Sequence, residues 1–415
     1  MKKSILTLAI LSLPFQLLTH GTVSSSAKNE SSERYIDFPN PKGYEIIVSD
    51  LHTHSVFSDG HVWPTIRIEE AVKDGLDLIS LTEHLEFQPH RHDIPHLDRN
   101  RPYQEGKTAA SKHDLIVING AEITREMNEE YDSPGHINAV FIKDANKLYK
   151  FDENKIEEAS DLVKWGKDLE GKVIEFYAVT NLWPAENALK EANNQGAFLF
   201  WNHPSWTAQR SDGIAKLDPI HEKLIKNKML HGIEVINGGF YSEEAFQIAL
   251  DNNLTVMGTS DVHNLIDWDY KPHLGGHRPV TLILSKARTK ESIKSALFNR
   301  RTVVWYEDLL IGEKENVALL VKACLEIDSA SYIYDSAVLR VTIKNSSDTK
   351  FSLKNLTNYT IANDDDYFEV PPQGKVVLEI NTLERLSKVD LDLEVINAIT
   401  EPKKNLNLQL SKRIK

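Results

Sequence analysis

The chain has 415 residues, of which 41% are hydrophobic and 26% are charged, and its formal net charge is -13. This length predicts two domains of globular composition. The negative charge argues against a nucleic-acid-binding surface, but it leaves an anionic substrate open because bound cations can reverse the local field.

The chain begins with the pattern of a secretory signal peptide. A Lys-Lys pair precedes an apolar run over residues 5–18, which is too short to span a bilayer comfortably. We interpret residues 1–22 as a signal peptide, cleaved between residues 21 and 27, rather than as a buried N-terminal helix. Since no cysteine follows the run, a lipoprotein anchor is not predicted, and we expect a periplasmic or secreted protein without a membrane anchor.

Residues 23–43 are rich in Ser, Lys, Glu and Pro, which predicts a flexible lead-in. From residue 44 to residue 308, short apolar strands alternate with helical segments, a pattern typical of parallel β/α units in an α/β fold. Residues 87–107 are predicted to form a polar loop. The predicted strands cover residues 44–48, 76–81, 115–118, 137–142, 197–201, 232–236, 254–257 and 280–284. The predicted helices cover residues 65–74, much of 144–195 with a break at Gly171 and a second helix over about 184–194, 242–252 and 290–299.

The pattern changes after residue 311, where alternating apolar and polar runs are separated by Asn, Asp, Ser and Pro. This pattern predicts an all-β sandwich over residues 311–415. The sandwich segment contains no histidine, so the chemistry is expected in the first domain. The single cysteine, Cys324, cannot form an internal disulfide and is predicted to be a small buried apolar residue.

The first predicted strand leads into Asp-Leu-His-Thr-His-Ser and then a Ser-Asp-Gly turn. Alternate residues of a strand share a face, so His52 and His54 point the same way, and Asp59 adds a nearby carboxylate. A His-x-His alone is more often two surface histidines on an edge strand. Here five later stretches repeat the arrangement of an apolar strand and ligand-type residues, which favours a metal site.

Nine candidate ligands lie at or near strand ends, and the carboxyl ends of barrel strands are where active sites form. His136 is the exception because it precedes its strand. Nine ligands exceed the need of one tetrahedral zinc, and three ions sharing a carboxylate would use them all, an arrangement that suits phosphoester hydrolysis. The nine are His52, His54, Asp59, His84, Glu122, His136, His203, Asp261 and His263.

These stretches resemble, in order, the PHP (polymerase and histidinol phosphatase) family of metal-dependent phosphoesterases. They read Asp-Leu-His-Thr-His-Ser, Leu-Thr-Glu-His, Gly-Ala-Glu-Ile-Thr, Gly-His-Ile, Trp-Asn-His-Pro and Thr-Ser-Asp-Val-His. The resemblance implies a distorted (β/α)7 barrel and hydrolysis of P–O ester bonds by a metal-bridging hydroxide at a trinuclear centre. With its signal peptide and sandwich, the whole chain is similar to secreted bacterial PHP phosphodiesterases that cleave organophosphate diesters and carry a C-terminal Ig-like domain.

The resemblance also implies which residues hold two to three divalent ions (Zn, Mn or Fe), with Asp59, where some members have His, favouring Mn or Fe. The implied catalytic residues are Glu122, Asp261 and His263. The three implied ligand sets are His52, His54, Glu122 and Asp261; then Glu122, His136 and His203; and then Asp59, His84 and His263.

Further residues are predicted around a small phosphoester substrate. Arg125, His92 and Arg278 are candidates for contacts with the phosphoryl oxygens, although an exposed loop arginine is an equal alternative for Arg125. Three tryptophans could line a pocket for an apolar ester group or pack in the core, and two residues could support the ligands. The tryptophans are Trp201, Trp206 and Trp268, and the supporting residues are Glu234 and Asn237.

Two other functions stay open. The first is a phosphomonoesterase on the same barrel, similar to histidinol phosphatases. The second is a protein without catalysis that stores metal or binds a surface through its sandwich. Retention of all nine ligands favours an enzyme, since binding alone would not need an open trinuclear site.

Overall fold

The computed structural model describes residues 35–126, 132–164 and 166–414. The predicted signal peptide lies outside these residues. Within the described ranges, none of the helices combines the length and apolar character needed to cross a bilayer.

The first part of the chain is a mixed α/β barrel. Its strands are β1 (Glu45–Asp50), β2 (Leu78–Leu81), β3 (Ile116–Ile123), β4 (Ile137–Val140), β5 (Phe198–Trp201), β6 (Gly232–Asn237), β7 (Phe240–Tyr241), β8 (Thr255–Thr259), β9 (Val280–Ser285), β10 (Thr302–Tyr306) and β11 (Leu309–Ile311). The helices are α1 (Pro64–Lys73), α2 (Arg101–Ala109), α3 (Ile156–Ser160), α4 (Glu175–Thr180), α5 (Ala185–Asn194), α6 (Pro219–Lys226), α7 (Glu243–Asn252), α8 (Ile266–Asp269), α9 (Lys290–Phe298) and α10 (Lys314–Cys324). Short 3₁₀ turns cover Ala110–Lys112, Ala145–Lys147, Glu153–Lys155 and Pro272–Leu274.

The barrel is built from two parallel groups of strands, β1–β2–β3 and β5–β6–β8. Alternate inward residues, including Ile47, Leu78, Phe200 and Met257, fill its interior. The end of β1 meets the end of β8, where the His54 N–H donates to the Val262 carbonyl over 3.1 Å. The strand ends that carry the ligands therefore lie beside one another.

Two strands depart from the predicted parallel order. β4 runs antiparallel to both β3 and β5, and β9 runs antiparallel to β1. The reversal of β4 pairs Ile137 with Ile123, the last residue of β3. His136 therefore reaches the ligand edge although it precedes its strand.

Two segment predictions were wrong in detail. The predicted polar loop over residues 87–107 contains the start of α2, whose Pro102 lies in the first helical turn, where proline is favoured. In the described part of residues 144–195, α5 confirms the helix predicted over residues 184–194, but the preceding segment holds only the short helices α3 and α4 besides 3₁₀ turns. Asp144 and Asp152 accept hydrogen bonds from nearby backbone N–H groups and begin 3₁₀ turns there instead of long helices.

The second part of the chain is an all-β sandwich, as predicted, with alternating buried and exposed residues along its strands. One sheet has the order β12-β13-β17-β15, and the other contains β16, β14, β18 and β19. The strands are β12 (Leu325–Tyr332), β13 (Val338–Asn345), β14 (Phe351–Asn355), β15 (Thr360–Ile361), β16 (Tyr367–Val370), β17 (Lys375–Asn381), β18 (Lys388–Glu401) and β19 (Lys404–Arg413).

Helix α10, which the sequence interpretation missed, precedes the first strand of the sandwich. Its buried residues Val317, Leu320, Val321 and Cys324 follow helical spacing. Cys324 is buried, as predicted.

The barrel and the sandwich share a sheet. Strand β11 pairs in parallel with β18, with Leu310 opposite Ala398. Part of the predicted flexible lead-in also packs here, since the Phe38 ring lies 5.0 Å from the Trp305 ring and the Asp37 N–H donates to the Asp348 carboxylate over 2.8 Å. Residues 35–43 are therefore attached to both parts of the molecule.

Candidate metal centre

The structure brings all nine predicted ligands together at the carboxyl end of the barrel. In the inner group, His52, His54 and Glu122 are fully buried, whereas the Asp261 side chain is 18% exposed. Nε2 of His52 and Nε2 of His54 are 3.1 Å apart, and Oδ1 of Asp261 lies 3.1 Å from each. Oε2 of Glu122 lies 3.4 Å from both nitrogens. Donors at tetrahedral positions around one zinc-sized ion are roughly 3.3–3.6 Å apart, so His52, His54 and Asp261 form a set that could hold one cation, with Oε2 of Glu122 beside the two imidazoles.

The outer ligands extend the cluster on two sides. Asp59 lies 3.4 Å from Nε2 of His84 and 3.2 Å from Nε2 of His263. On the other side, Oε1 of Glu122 lies 3.1 Å from Nδ1 of His136 and 3.5 Å from Nε2 of His203. Two further donor sets that could hold a metal adjoin the inner group, namely His54 with Asp59, His84 and His263, and His84 with Glu122 and His136, while His203 lies next to the second set.

Several donor atoms in the cluster have no hydrogen-bond partner although they are buried. These atoms are Oε2 of Glu122, Oδ1 of Asp59 and Nδ1 of His84. Nδ1 of His84 lies only 2.8 Å from Oε2 of Glu122, yet no hydrogen bond joins them. Since buried polar groups are normally paired, these atoms fit ligands of cations.

The electrostatics of the cluster also favour bound positive charge. Burial alone lowers the pKa of His52, but Asp261, Glu234 and Glu122 raise it well above its usual value. Burial, followed by the charge of His263, lowers the pKa of His54 to about 3. His54 is therefore a neutral imidazole, the form that binds a metal.

The backbone at the cluster adopts conformations that are uncommon for residues other than glycine. His203 and Asp261 have φ values of 29° and 51°, and such strain collects at functional sites. Gly60 follows Asp59 and packs against the backbone of His54 and Ser55. A Cβ at Gly60 would lie 2.8 Å from the His54 carbonyl carbon, so only glycine fits this turn.

Glu234 supports the inner ligands, as the sequence suggested. Its Oε1 lies 2.8 Å from Nδ1 of His52 and accepts from the Thr259 hydroxyl over 2.5 Å. Its Oε2 accepts from the His203 N–H over 2.7 Å and from Asn237 Nδ2 over 2.9 Å. One buried carboxylate thus orients His52 and fixes the backbone of His203.

Three supporting residues were missed by the sequence interpretation. Glu83 accepts hydrogen bonds from the hydroxyls of Ser55 (2.5 Å) and Ser58 (2.6 Å), and Asn202 donates to Oε1 of Glu122 over 2.8 Å. Buried Arg67 donates to the His54 carbonyl over 3.0 Å. Glu83 and Asn202 adjoin ligands in the chain, which was a usable signal. Arg67 on α1 gave none.

The two arginines predicted to contact substrate are both buried beside carboxylates. Arg125 is fully buried, with its NH1 atom 2.8 Å from Glu86. Arg278 is also buried, between Asp50 (3.1 Å) and Asp74 (2.8 Å). Their charge serves internal ion pairs. His92, the third candidate, is exposed on its loop 3.6 Å from Asp168 and remains a prediction.

The three tryptophans differ in position. Trp201 is buried and stacks on His221, with ring centroids 3.9 Å apart. Trp206 is 47% exposed and Trp268 is 66% exposed. Core packing therefore accounts for the first, while the other two reach the surface.

Comparisons with known proteins cover both parts of the chain. A family model described as an Ig-like domain matches residues 325–411. A crystal structure from Bacteroides vulgatus ATCC 8482, of a two-domain protein containing a predicted PHP-like metal-dependent phosphoesterase, is 36% identical with a TM-score of 0.77. The match covers 92% of this chain and 99% of that one. The predicted resemblance and the two-part fold are thereby confirmed.

Other solved structures are more distant. A protein from Bifidobacterium adolescentis ATCC 15703, described as a metal-dependent phosphoesterase, is 18% identical over 52% of this chain and 87% of its own, with a TM-score of 0.36. An amidohydrolase from Chromobacterium violaceum, solved with sulfate and no metal, has the same identity and coverage and a TM-score of 0.35. No curated protein matches the chain.

Proposed function

The chain belongs to the PHP-like metal-dependent phosphoesterases, and on that basis we propose that it hydrolyses phosphodiesters at a trinuclear metal centre. The proposed ligands of the first ion are His52, His54, Glu122 and Asp261. Those of the second are Glu122, His136 and His203, and those of the third are Asp59, His84 and His263.

The position of Glu122 is the observation that carries this proposal. Its carboxylate is fully buried, and its two oxygens face different ligand groups. Oε1 lies beside His136 and His203, whereas Oε2 lies beside His52 and His54. A carboxylate in this position suits a bridge between two ions.

Bound divalent ions would withdraw charge from the phosphoryl oxygens and make an attacking water more acidic. The exposure of the ligand side chains indicates the side from which substrate can reach the cluster. The side chains of Asp59 and His263 are 26% and 31% exposed, whereas those of His52, His54 and Glu122 are fully buried. Substrate therefore approaches over Asp59 and His263.

Proton transfer is assigned to Asp261 or His263 at this opening. The Asp261 carbonyl fixes the His263 ring through Nδ1 at 2.8 Å, and Oδ2 of Asp261 accepts from Asn237 over 3.3 Å. Both side chains are held in place and partly exposed, as a group that exchanges protons with substrate must be.

A diester is favoured over a monoester because of the positions of the two arginines. A monoester dianion needs more positive charge than a diester monoanion. Arg125 and Arg278, which could have supplied it, are committed to buried carboxylates. The oxygen ligand Asp59 favours Mn or Fe over Zn at its ion. We also propose a periplasmic or secreted location from the predicted signal peptide.

The test compares bis(p-nitrophenyl) phosphate with p-nitrophenyl phosphate, using mature protein loaded in turn with zinc, manganese and iron. His54→Ala is the site variant. His113→Ala is the matched control, because His113 lies 3.4 Å from Glu69 of α1, away from the cluster. We expect a preference for the diester that His54→Ala abolishes and His113→Ala preserves.

Other results would assign another function. A preference for the monoester would make the protein a phosphatase. A metal-loaded protein that hydrolyses neither ester would favour metal or surface binding without catalysis.

A further inference from the structure

The side of the metal centre away from Asp59 and His263 has an aromatic border. Trp206 is half-exposed, and its ring centroid lies 5.2 Å from the His203 ring and 5.7 Å from the His136 ring. Both imidazoles belong to the proposed second ligand set. Trp206 therefore borders the space above that set.

A second aromatic ring continues this side. Phe87 is partly buried, with its centroid 6.1 Å from the His84 ring, and the rings of His84 and His136 are 5.5 Å apart. Phe87 and Trp206 thus border adjacent ligand imidazoles. Aromatic surface therefore borders the ligands His84, His136 and His203, on the side that a substituent pointing away from Asp59 and His263 would face.

The position of Trp206 is fixed by the same turn that delivers a ligand. The backbone N–H of Trp206 donates to the His203 carbonyl over 2.9 Å, and the Trp206 backbone carbonyl accepts from the backbone N–H groups of Gln209 (2.9 Å) and Arg210 (2.8 Å). A large aromatic side chain held partly in water is a ready partner for a flat apolar group, because stacking removes apolar surface from water.

From these contacts we propose that Trp206, together with Phe87, forms a subsite that binds an aromatic or other flat apolar substituent of the phosphodiester. The inference rests on the proposed phosphodiesterase function and specifies its substrate class. Trp206 determines specificity in this proposal and takes no part in the chemical step.

The test measures binding rather than turnover. Methyl(phenyl)phosphinate and dimethylphosphinate carry one negative charge, like a diester, have no ester bond to hydrolyse, and differ only in the group offered to Trp206. We would titrate each into the full metal-loaded chain by calorimetry, with bound metal measured for every variant. Wild type should bind methyl(phenyl)phosphinate about tenfold more tightly than dimethylphosphinate, as expected for one aromatic contact.

The variants separate this subsite from a packing role. Trp206→Ala should bring the affinity ratio of the two phosphinates close to one, and Trp206→Phe should keep most of the preference for the phenyl compound. Trp268→Ala is the matched control, because Trp268 is also exposed but makes no ring contact with a ligand imidazole among the described residues. It should leave the ratio unchanged.

The proposal is overturned if wild type shows no preference, if neither phosphinate binds, or if Trp206→Ala weakens the binding of both equally. The last result would mean that Trp206 only packs the ligand histidines. Failure of the phosphodiesterase proposal would give a different result. The protein would then leave bis(p-nitrophenyl) phosphate unhydrolysed but would still bind the phenyl compound more tightly.

Discussion

The barrel and the Ig-like domain bury different kinds of side chain. The ligand end of the barrel encloses ionisable groups, among them His52, Glu83, Glu122 and Glu234. In the described part of the Ig-like domain, the buried polar residues are all neutral. They are Asn345, Ser347, Thr349, Thr382, Asn397 and Thr400.

This difference separates chemistry from stability within one chain. Burying an ionisable group is unfavourable unless hydrogen bonds, ion pairs or metals compensate it. Burying alternate apolar residues is favourable in itself. Substitutions in the two regions should therefore affect different measurements, and four experiments test this separation.

The largest effect is expected at Glu122. Glu122→Gln removes the charge of the carboxylate that faces two ligand groups, so kcat/KM should fall about 10³-fold, as expected if several kcal/mol of metal-assisted stabilisation are lost. Bound metal, measured by elemental analysis, should fall as well. The control is Glu379→Gln, which removes a surface partner of Arg340 in the Ig-like domain. An equal loss in the control would remove the distinction between the regions.

A substitution in the core of the Ig-like domain should instead lower stability and leave metal binding unchanged. Leu393 is buried where β18 lies between β14 and β19, so Leu393→Ala should lower the free energy of unfolding by about 3 kcal/mol. Urea unfolding measures this change, and the folded variant should keep its metal. Leu383→Ala, at an exposed leucine, should change stability by less than about 0.5 kcal/mol. Loss of metal from folded Leu393→Ala would contradict the separation.

Glu234→Gln should have an intermediate effect, because it weakens the support of ligands without removing one. We expect metal affinity to fall about 10- to 100-fold, measured by competition with a chelator. Glu243→Gln on α7 is the matched control, since Glu243 contacts only Lys403 among the ion pairs of the described residues. Unchanged affinity in Glu234→Gln would limit Glu234 to a packing role.

The smallest effect concerns His231, just before β6 at the end of the barrel away from the ligands. Burial lowers its pKa to about 4, and its Nδ1 accepts from the Leu199 N–H. On acidification, His231 is protonated in the unfolded chain before it is protonated in the folded protein. The contribution of neutral His231 to stability is therefore complete above pH 6.5 and is lost as the pH falls towards 4. The stability advantage of wild type over His231→Gln should therefore shrink on acidification. An advantage that is constant with pH would contradict the assignment.

The ligands could be predicted from sequence because each depends on local information. His52 and His54 are two residues apart after an apolar strand, and strand alternation alone places them on one face. The helix α10 was equally readable, since Val317, Leu320 and Val321 have helical spacing, but the alternating runs that follow it dominated the interpretation.

The substrate contacts could not be predicted in the same way. Arg125 follows Glu122 closely in the chain, yet its position is decided by Glu86, on another loop. The position of Arg278 is likewise determined by its ion pairs with Asp50 and Asp74. Partners so far apart in sequence leave no local pattern. The reversed direction of β4 was different, because a ligand before its strand, His136, was a signal that the chain had turned.

The pairing of β11 with β18 joins the barrel and the Ig-like domain through one continuous sheet. Similarity to other proteins places a border near residue 325, but backbone hydrogen bonds cross it through residues 310–311 and 398–399. Separating the halves would leave two open strand edges, each able to pair with another chain. We therefore expect either half, produced alone, to aggregate, and exchange of this Ig-like domain between proteins to require the matching edge of its barrel.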